Sequence, residues 1–157
     1  MLINNIKLVI VLILLLLIQF IVNNFTIFYV DLFGIFAIIL LLYGSSNFSY
    51  IVGISVLADI FGYWYIGEHL IAIVALSILS SRVTRVFSIC NWFQKLVILE
   101  VFTGLLILII YALNLVFNKH IDNTLSFLIQ LIVVLPILQI VYQKIVLTKK
   151  SDVIWYE

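Results

Sequence analysis

Apolar residues run along this chain in long, nearly unbroken blocks, and the polar positions fall in short groups between them. The blocks are too continuous for the alternation of a half-buried strand or a membrane barrel. They approach the about 20 residues a helix needs to cross a bilayer. The pattern predicts six helices, over about 6–22, 27–43, 48–66, 69–81, 95–117 and 124–147. Asn23-Asn24 closes the first, Gly44-Ser45-Ser46-Asn47 follows the second, and Gly67-Glu68 separates the third from the fourth. The most polar internal stretch, Arg82 to Gln94, reads either as a bent extension of helix four or as a short helix in the interface plane. Pro136 lies inside helix six, where a missing N–H donor bends a membrane helix. Lys7 followed by an apolar run resembles a signal peptide. The run is long for one, no small-x-small site follows it, and the rest of the chain is equally apolar, so it reads as a retained helix. No internal repeat stands out.

Composition narrows the class. Of 157 residues, 66% are hydrophobic and 10% charged, against roughly 25% charged in a soluble domain. So few charges cannot cover a water-soluble core. The expectation is a single all-α domain, a polytopic membrane protein built as a compact bundle of about six transmembrane helices, with no room for a soluble catalytic or sensory domain. A net charge of +1 speaks against a nucleic-acid partner. With Cys90 as the one cysteine, neither an intrachain disulfide nor a cysteine metal cluster can form.

Charge placement then orients the bundle. Six spans put Lys7, Arg82, Arg85, Lys95, Lys144, Lys149 and Lys150 on one face and only Lys119 on the other, with Asp31, Glu68 and Asp122. Basic residues accumulate on the cytoplasmic side, so both termini are expected there.

Among candidate residues Asp59 is the most informative. About eleven residues into helix three is a rise of about 16 Å, which predicts a carboxyl near the membrane centre. Such a group faces a protein interior or a polar cavity. A hydrogen-bonded carboxyl that fixes packing is the favoured reading over proton transport. Ser55, Ala58 and Gly62 share one small-residue face of that helix, with Gly53 and Asp59 partly off it. Tyr63, Trp64 and Tyr65 read as interface anchors. Glu68-His69 reads as a cap that orients helix four at the outer interface rather than as a metal pair, since adjacent helical residues converge poorly. Glu100 is placed to pair with Lys95, Arg82 or Arg85 at the cytoplasmic edge. No catalytic triad, Walker loop or HExxH motif occurs, so no enzyme and no cofactor are expected.

The stretches Val30-Asp31-Leu32, Tyr43-Gly44, Tyr50-Ile51-Val52-Gly53, Leu57-Ala58-Asp59-Ile60-Phe61-Gly62 and Ile66-Gly67-Glu68-His69-Leu70 together resemble the rod shape-determining MreD family. Arg82 and Arg85 sit where basic residues follow the fourth span in that family. Tyr63-Trp64-Tyr65 and Glu68-His69 depart from its commoner, less aromatic and less charged turn. The resemblance implies a non-enzymatic scaffold in the bacterial inner membrane that helps organise peptidoglycan synthesis. Its implied partners are MreC, MreB, RodA and a penicillin-binding transpeptidase, with membrane lipid around it. The alternative is the substrate-binding membrane subunit of an energy-coupling-factor vitamin transporter, also a small six-helix protein. The short loops at Tyr63–Glu68 and Asn118–Asn123 offer little to cover a ligand, which favours the scaffold.

Overall fold

A computed structural model describes residues 3–25, 30–43, 48–61, 67–117 and 128–142, with side chains from residue 9 onward. The described residues form six helical segments and no sheet. They are α1 (Ile3–Phe25), α2 (Leu32–Tyr43), α3 (Phe48–Phe61), α4 (Glu68–Ile89), α5 (Trp92–Val116) and α6, which opens as a π-helical turn, Gln130–Val134, and continues as Leu135–Tyr142.

Every residue of α2 from Leu32 to Leu42 is buried. A helix apolar on all sides belongs in the centre of a bundle, and α2 touches α1, α3, α4, α5 and α6. The surrounding helices bury one side each. α4 and α5 leave Ile71, Ile78, Ile89, Val101, Leu108 and Leu115 exposed, and α1 leaves Val9, Ile13, Leu17 and Phe20 exposed. Side chains of this kind facing outward from several helices match a lipid surround rather than water. α4 and α5 are each long and apolar enough to cross a membrane, and the shorter described helices are also apolar. The chain is thus an all-α, multi-pass, membrane-associated bundle.

Two local features differ from the sequence reading for physical reasons. The stretch from Arg82 continues α4 without a break to Ile89, and α5 starts at Trp92 rather than near Lys95. Asn91 makes that start possible. Its side chain caps the third helical N–H, and Gln94 reaches back to the Asn91 N–H at 3.0 Å. In α6 the expected disturbance at Pro136 takes the form of the wide turn just before it. The Leu135 N–H reaches the Gln130 carbonyl, five residues back. This wider spacing accommodates the proline ring where a regular turn would crowd it.

The two ends of the bundle have different chemistry. At one end Tyr43 packs edge-on to Phe87 (4.9 Å between ring centroids) and close to Tyr142 (4.8 Å). Lys95 Nζ lies 5.7 Å from the Phe87 ring centre, within range of a cation–π attraction. The opposite end gathers buried polar side chains from α1 through α5.

Candidate functional site

That polar end is built from helix termini. The first four N–H groups of a helix have no partner inside it, and α2 and α4 both begin here. Asp31 caps α2, its Oδ1 accepting the Gly34 N–H at 2.9 Å. Gln19 of α1 adds a second acceptor, its Oε1 taking the Leu32 and Phe33 N–H groups at 3.0 and 3.3 Å. Asn23 ties α1 to the same segment, accepting the Val30 N–H at 2.9 Å and donating to its carbonyl at 3.2 Å.

The start of α4 is capped by a side chain from another helix. Gly67 precedes α4 in a left-handed conformation, φ 104°, which glycine adopts without steric cost. That turn aims its N–H at Asp59 Oδ2 (2.8 Å), and the His69 N–H meets Asp59 Oδ1 (2.9 Å). Asp59, near the end of α3, thus serves the N-terminus of α4.

The two capping carboxylates meet on one ring. His69 Nδ1 lies 2.8 Å from Asp59 Oδ1, and Nε2 lies 2.6 Å from Asp31 Oδ2. The imidazole is fully buried and the Asp59 side chain is 1% exposed. Each short contact needs one hydrogen, and a neutral imidazole carries only one. Two bridging protons are therefore shared among His69, Asp31 and Asp59. Imidazolium between two carboxylates, or imidazole with one carboxylic acid, gives the same surplus of one negative charge. The positive ends of the α2 and α4 dipoles, and the N–H groups of Gly34, Gly67 and His69, all point at that surplus. Such an array joins α2, α3 and α4 rigidly and holds the ring away from solvent.

Next to it, Glu68 is 2% exposed and accepts from Asn114 Nδ2 of α5 at 3.2 Å. A further buried polar set lies on α5 and α6. Thr103 Oγ1 and both amide atoms of Gln139 have no hydrogen-bond partner among the described residues.

The residues singled out from the sequence are distributed as follows. Asp59 is buried as expected, but beside the N-terminus of α4 rather than midway along a longer helix three. Ser55 and Ala58 are fully buried, with the Ser55 hydroxyl returned to the Ile51 carbonyl at 2.8 Å. Gly53 is exposed and a Cβ there would meet open space, so it contributes nothing to the packed face. Glu68 and His69 do open α4, yet both side chains are drawn into the bundle instead of lying at an interface. Arg82 and Arg85 are exposed, while Lys95 and Glu100 are half-buried. The expected partnership of Glu100 with Lys95, Arg82 or Arg85 does not form, since the ion pairs among the described residues are those of His69. Gly62, Tyr63, Trp64 and Tyr65 lie outside the described residues.

Sequence reasoning missed Asp31, Gln19 and Asn114 as site residues. One signal was available for Asp31, namely Asp31-x-x-Gly34 at the start of an apolar run, which is a helix cap. No protein family, curated protein or solved structure matches the chain.

Proposed function

We propose that this protein is a non-enzymatic scaffold of the MreD type in the bacterial inner membrane, organising the peptidoglycan-synthesis complex of cell elongation. The supporting observation is the closed bonding of Asp59: its two oxygens accept from the Gly67 and His69 N–H groups, and Oδ1 also meets the His69 ring at 2.8 Å. A carboxylate held this way acts as a joint between helices, which is what a scaffold needs to present fixed outer faces. The apolar outer faces of α1, α4 and α5 suit contact with partner membrane helices as well as lipid, in keeping with MreC, RodA and a penicillin-binding transpeptidase as partners. The exposed Arg82 and Arg85 suit the cytoplasmic side, where MreB lies.

A second reading, the substrate-binding subunit of an energy-coupling-factor vitamin transporter, draws support from the unpartnered buried atoms of Thr103 and Gln139, which a polar ligand would satisfy. Co-purification from native membranes separates the two. Recovery of cell-wall synthases supports the scaffold, whereas recovery of paired transport ATPases overturns it in favour of the transporter.

A further inference from the structure

The outward side of α4 carries a single stripe. Ile71, Val74, Ile78, Arg82, Arg85 and Ile89 recur at spacings of three and four, and all six are exposed. Residues on the other side, among them Ala72, Leu76, Ser80 and Phe87, are buried. The two arginines interrupt an apolar surface that continues past them in both directions. Ile78 before them is 76% exposed and Ile89 after them 84%. Guanidinium groups keep their charge in apolar surroundings, and a charge at a lipid boundary calls for a counter-charge. None comes from the described residues. Asp31, Asp59 and Glu68 lie at the opposite end of the bundle, Glu100 is half-buried on α5, and the ion pairs are those of His69.

We propose that Arg82 and Arg85 form a binding site for the phosphate of an anionic phospholipid. Residues three apart on a helix stand about 5–6 Å apart at Cβ, so both guanidinium forks can close on one phosphate, which their planar donors fit bidentately. Depth favours a lipid. The arginines follow Glu68 by 14 and 17 residues, a rise of about 21 and about 26 Å. With the polar end of the bundle at one boundary of a hydrocarbon core about 30 Å thick, they reach the opposite boundary, where phospholipid phosphates begin. The acyl chains then run back along Ile78, Val74 and Ile71. A partner helix would have to carry a carboxylate into the same apolar band, which is costly. Charge selects the headgroup. Two arginines against one phosphate leave a positive surplus, so a zwitterionic headgroup, which brings its own ammonium, fits less well than one without. Lys95 is not part of the site, because it lies over the Phe87 ring on the buried side of α4.

The inference stands apart from the scaffold reading, since it is read from lipid binding to the purified chain and not from partner recovery. The experiment is thermal unfolding of the full chain in a neutral detergent, titrated with dioleoylphosphatidylglycerol or with dioleoylphosphatidylcholine, which share their acyl chains. The expected result is a Tm that rises and saturates with phosphatidylglycerol, as ligand linkage requires, and rises less with phosphatidylcholine. The difference between the two lipids should vanish in the double variant Arg82→Gln/Arg85→Gln and persist in Lys95→Gln, which removes a positive charge from the same end. Both arginines are exposed, so the double variant should match the wild-type Tm before lipid is added. Native mass spectrometry of the wild-type chain from micelles holding equal amounts of both lipids provides a measurement that depends on no variant, and phosphatidylglycerol should be the lipid retained. Equal Tm rises and equal retention of the two lipids would overturn the proposal. So would an undiminished preference in the double variant, or the same Tm rise with inorganic phosphate, which would mark a site for the free ion. Loss of partner recovery from membranes in the double variant, with no lipid preference in the wild type, would overturn it in favour of a protein occupant.

Discussion

Gly34 and Asp31 occupy almost the same space. A Cβ on Gly34 would sit 2.8 Å from Asp31 Cγ and overlap the Oδ2 that meets His69. The end of an aspartate side chain moves cheaply when free, but this one is held by the Gly34 N–H and by the imidazole. Gly34→Ala must therefore push the carboxylate off the ring. Alanine is the better helix former, so on an open helix the change would stabilise. Here we expect a loss of about 1–3 kcal/mol, the usual cost of overpacking, seen as a lowered Tm in detergent. Gly53→Ala, with open space at its Cβ, is the matched control and should be neutral or slightly stabilising. A neutral Gly34→Ala would show that Asp31 does not hold the position described.

Asp59→Asn tests whether the charge matters. From the sequence, asparagine keeps the size and most of the hydrogen bonding, and little loss is expected. The structure reverses that expectation. Each oxygen of Asp59 accepts a backbone N–H, Oδ2 from Gly67 and Oδ1 from His69, so the new NH2 group must oppose an N–H whichever way the amide turns. Losing a hydrogen bond to a charged group costs about 1.5–3 kcal/mol. Asp59→Leu leaves the His69 ring bonded to Asp31 alone and the Gly67 and His69 N–H groups without their acceptor, and breaking a buried pair costs about 3–5 kcal/mol. The Tm should fall in the order wild type, Asn, Leu, with all three still inserting. An Asn variant as stable as wild type would mean that the carboxylate does not accept both the Gly67 and His69 N–H groups.

Much of the frame was legible in the chain. The apolar blocks marked the helices, Gly67 marked the start of α4, and the lone acid of helix three marked Asp59. The pairing of Asp31 with His69 was not legible, although its parts were. The two residues are 38 positions apart, and their meeting depends on how α2 is rotated about its axis. A helix buried on every side has no hydrophobic stripe from which that rotation can be read. His69 sits at a helix end, where an interface residue is the ordinary expectation. The capping demand of α4, met by Asp59 from the preceding helix, and the Asp31 carboxylate on the other ring nitrogen draw it inward. The antiparallel order held a hint: Asp31 starts one helix, Asp59 ends the next and His69 starts the third, so all three fall at one level.

Ala58 tests the small-residue face of α3. It is fully buried, while Ile60 two positions on is 57% exposed. The contacts of α3 are with α2 and α4 of the same chain, so this face serves internal packing. Ala58→Leu adds three carbons where a neighbouring helix already sits, with an expected loss of about 1–3 kcal/mol. Ile60→Leu should be silent. Thermal stability that is unchanged in Ala58→Leu would remove the close approach of α3 to its neighbours.

The orientation of the bundle can be read with reporter fusions. Arg82, Arg85 and Lys95 lie toward the end that carries Tyr43, Phe87 and Tyr142, whereas Asp31, Asp59 and Glu68 lie at the other. Basic residues are retained on the cytoplasmic side during insertion, and acidic ones contribute little. Fusions at Ser46, Asn91 and the C-terminal tail should therefore report the cytoplasm, and fusions at Gly67 and Asn118 the outside. The Asp31–His69–Asp59 array would then lie toward the outer leaflet. A further change sharpens the test. Replacing Arg82, Arg85 and Lys95 together with glutamine removes the internal basic cluster but leaves the tail lysines. If the cluster sets the orientation, the Asn91 and Gly67 fusions should lose their clean separation, while Gly53→Ala carrying the same reporters keeps it. A tail that reports the outside in the wild-type chain would overturn the even number of spans.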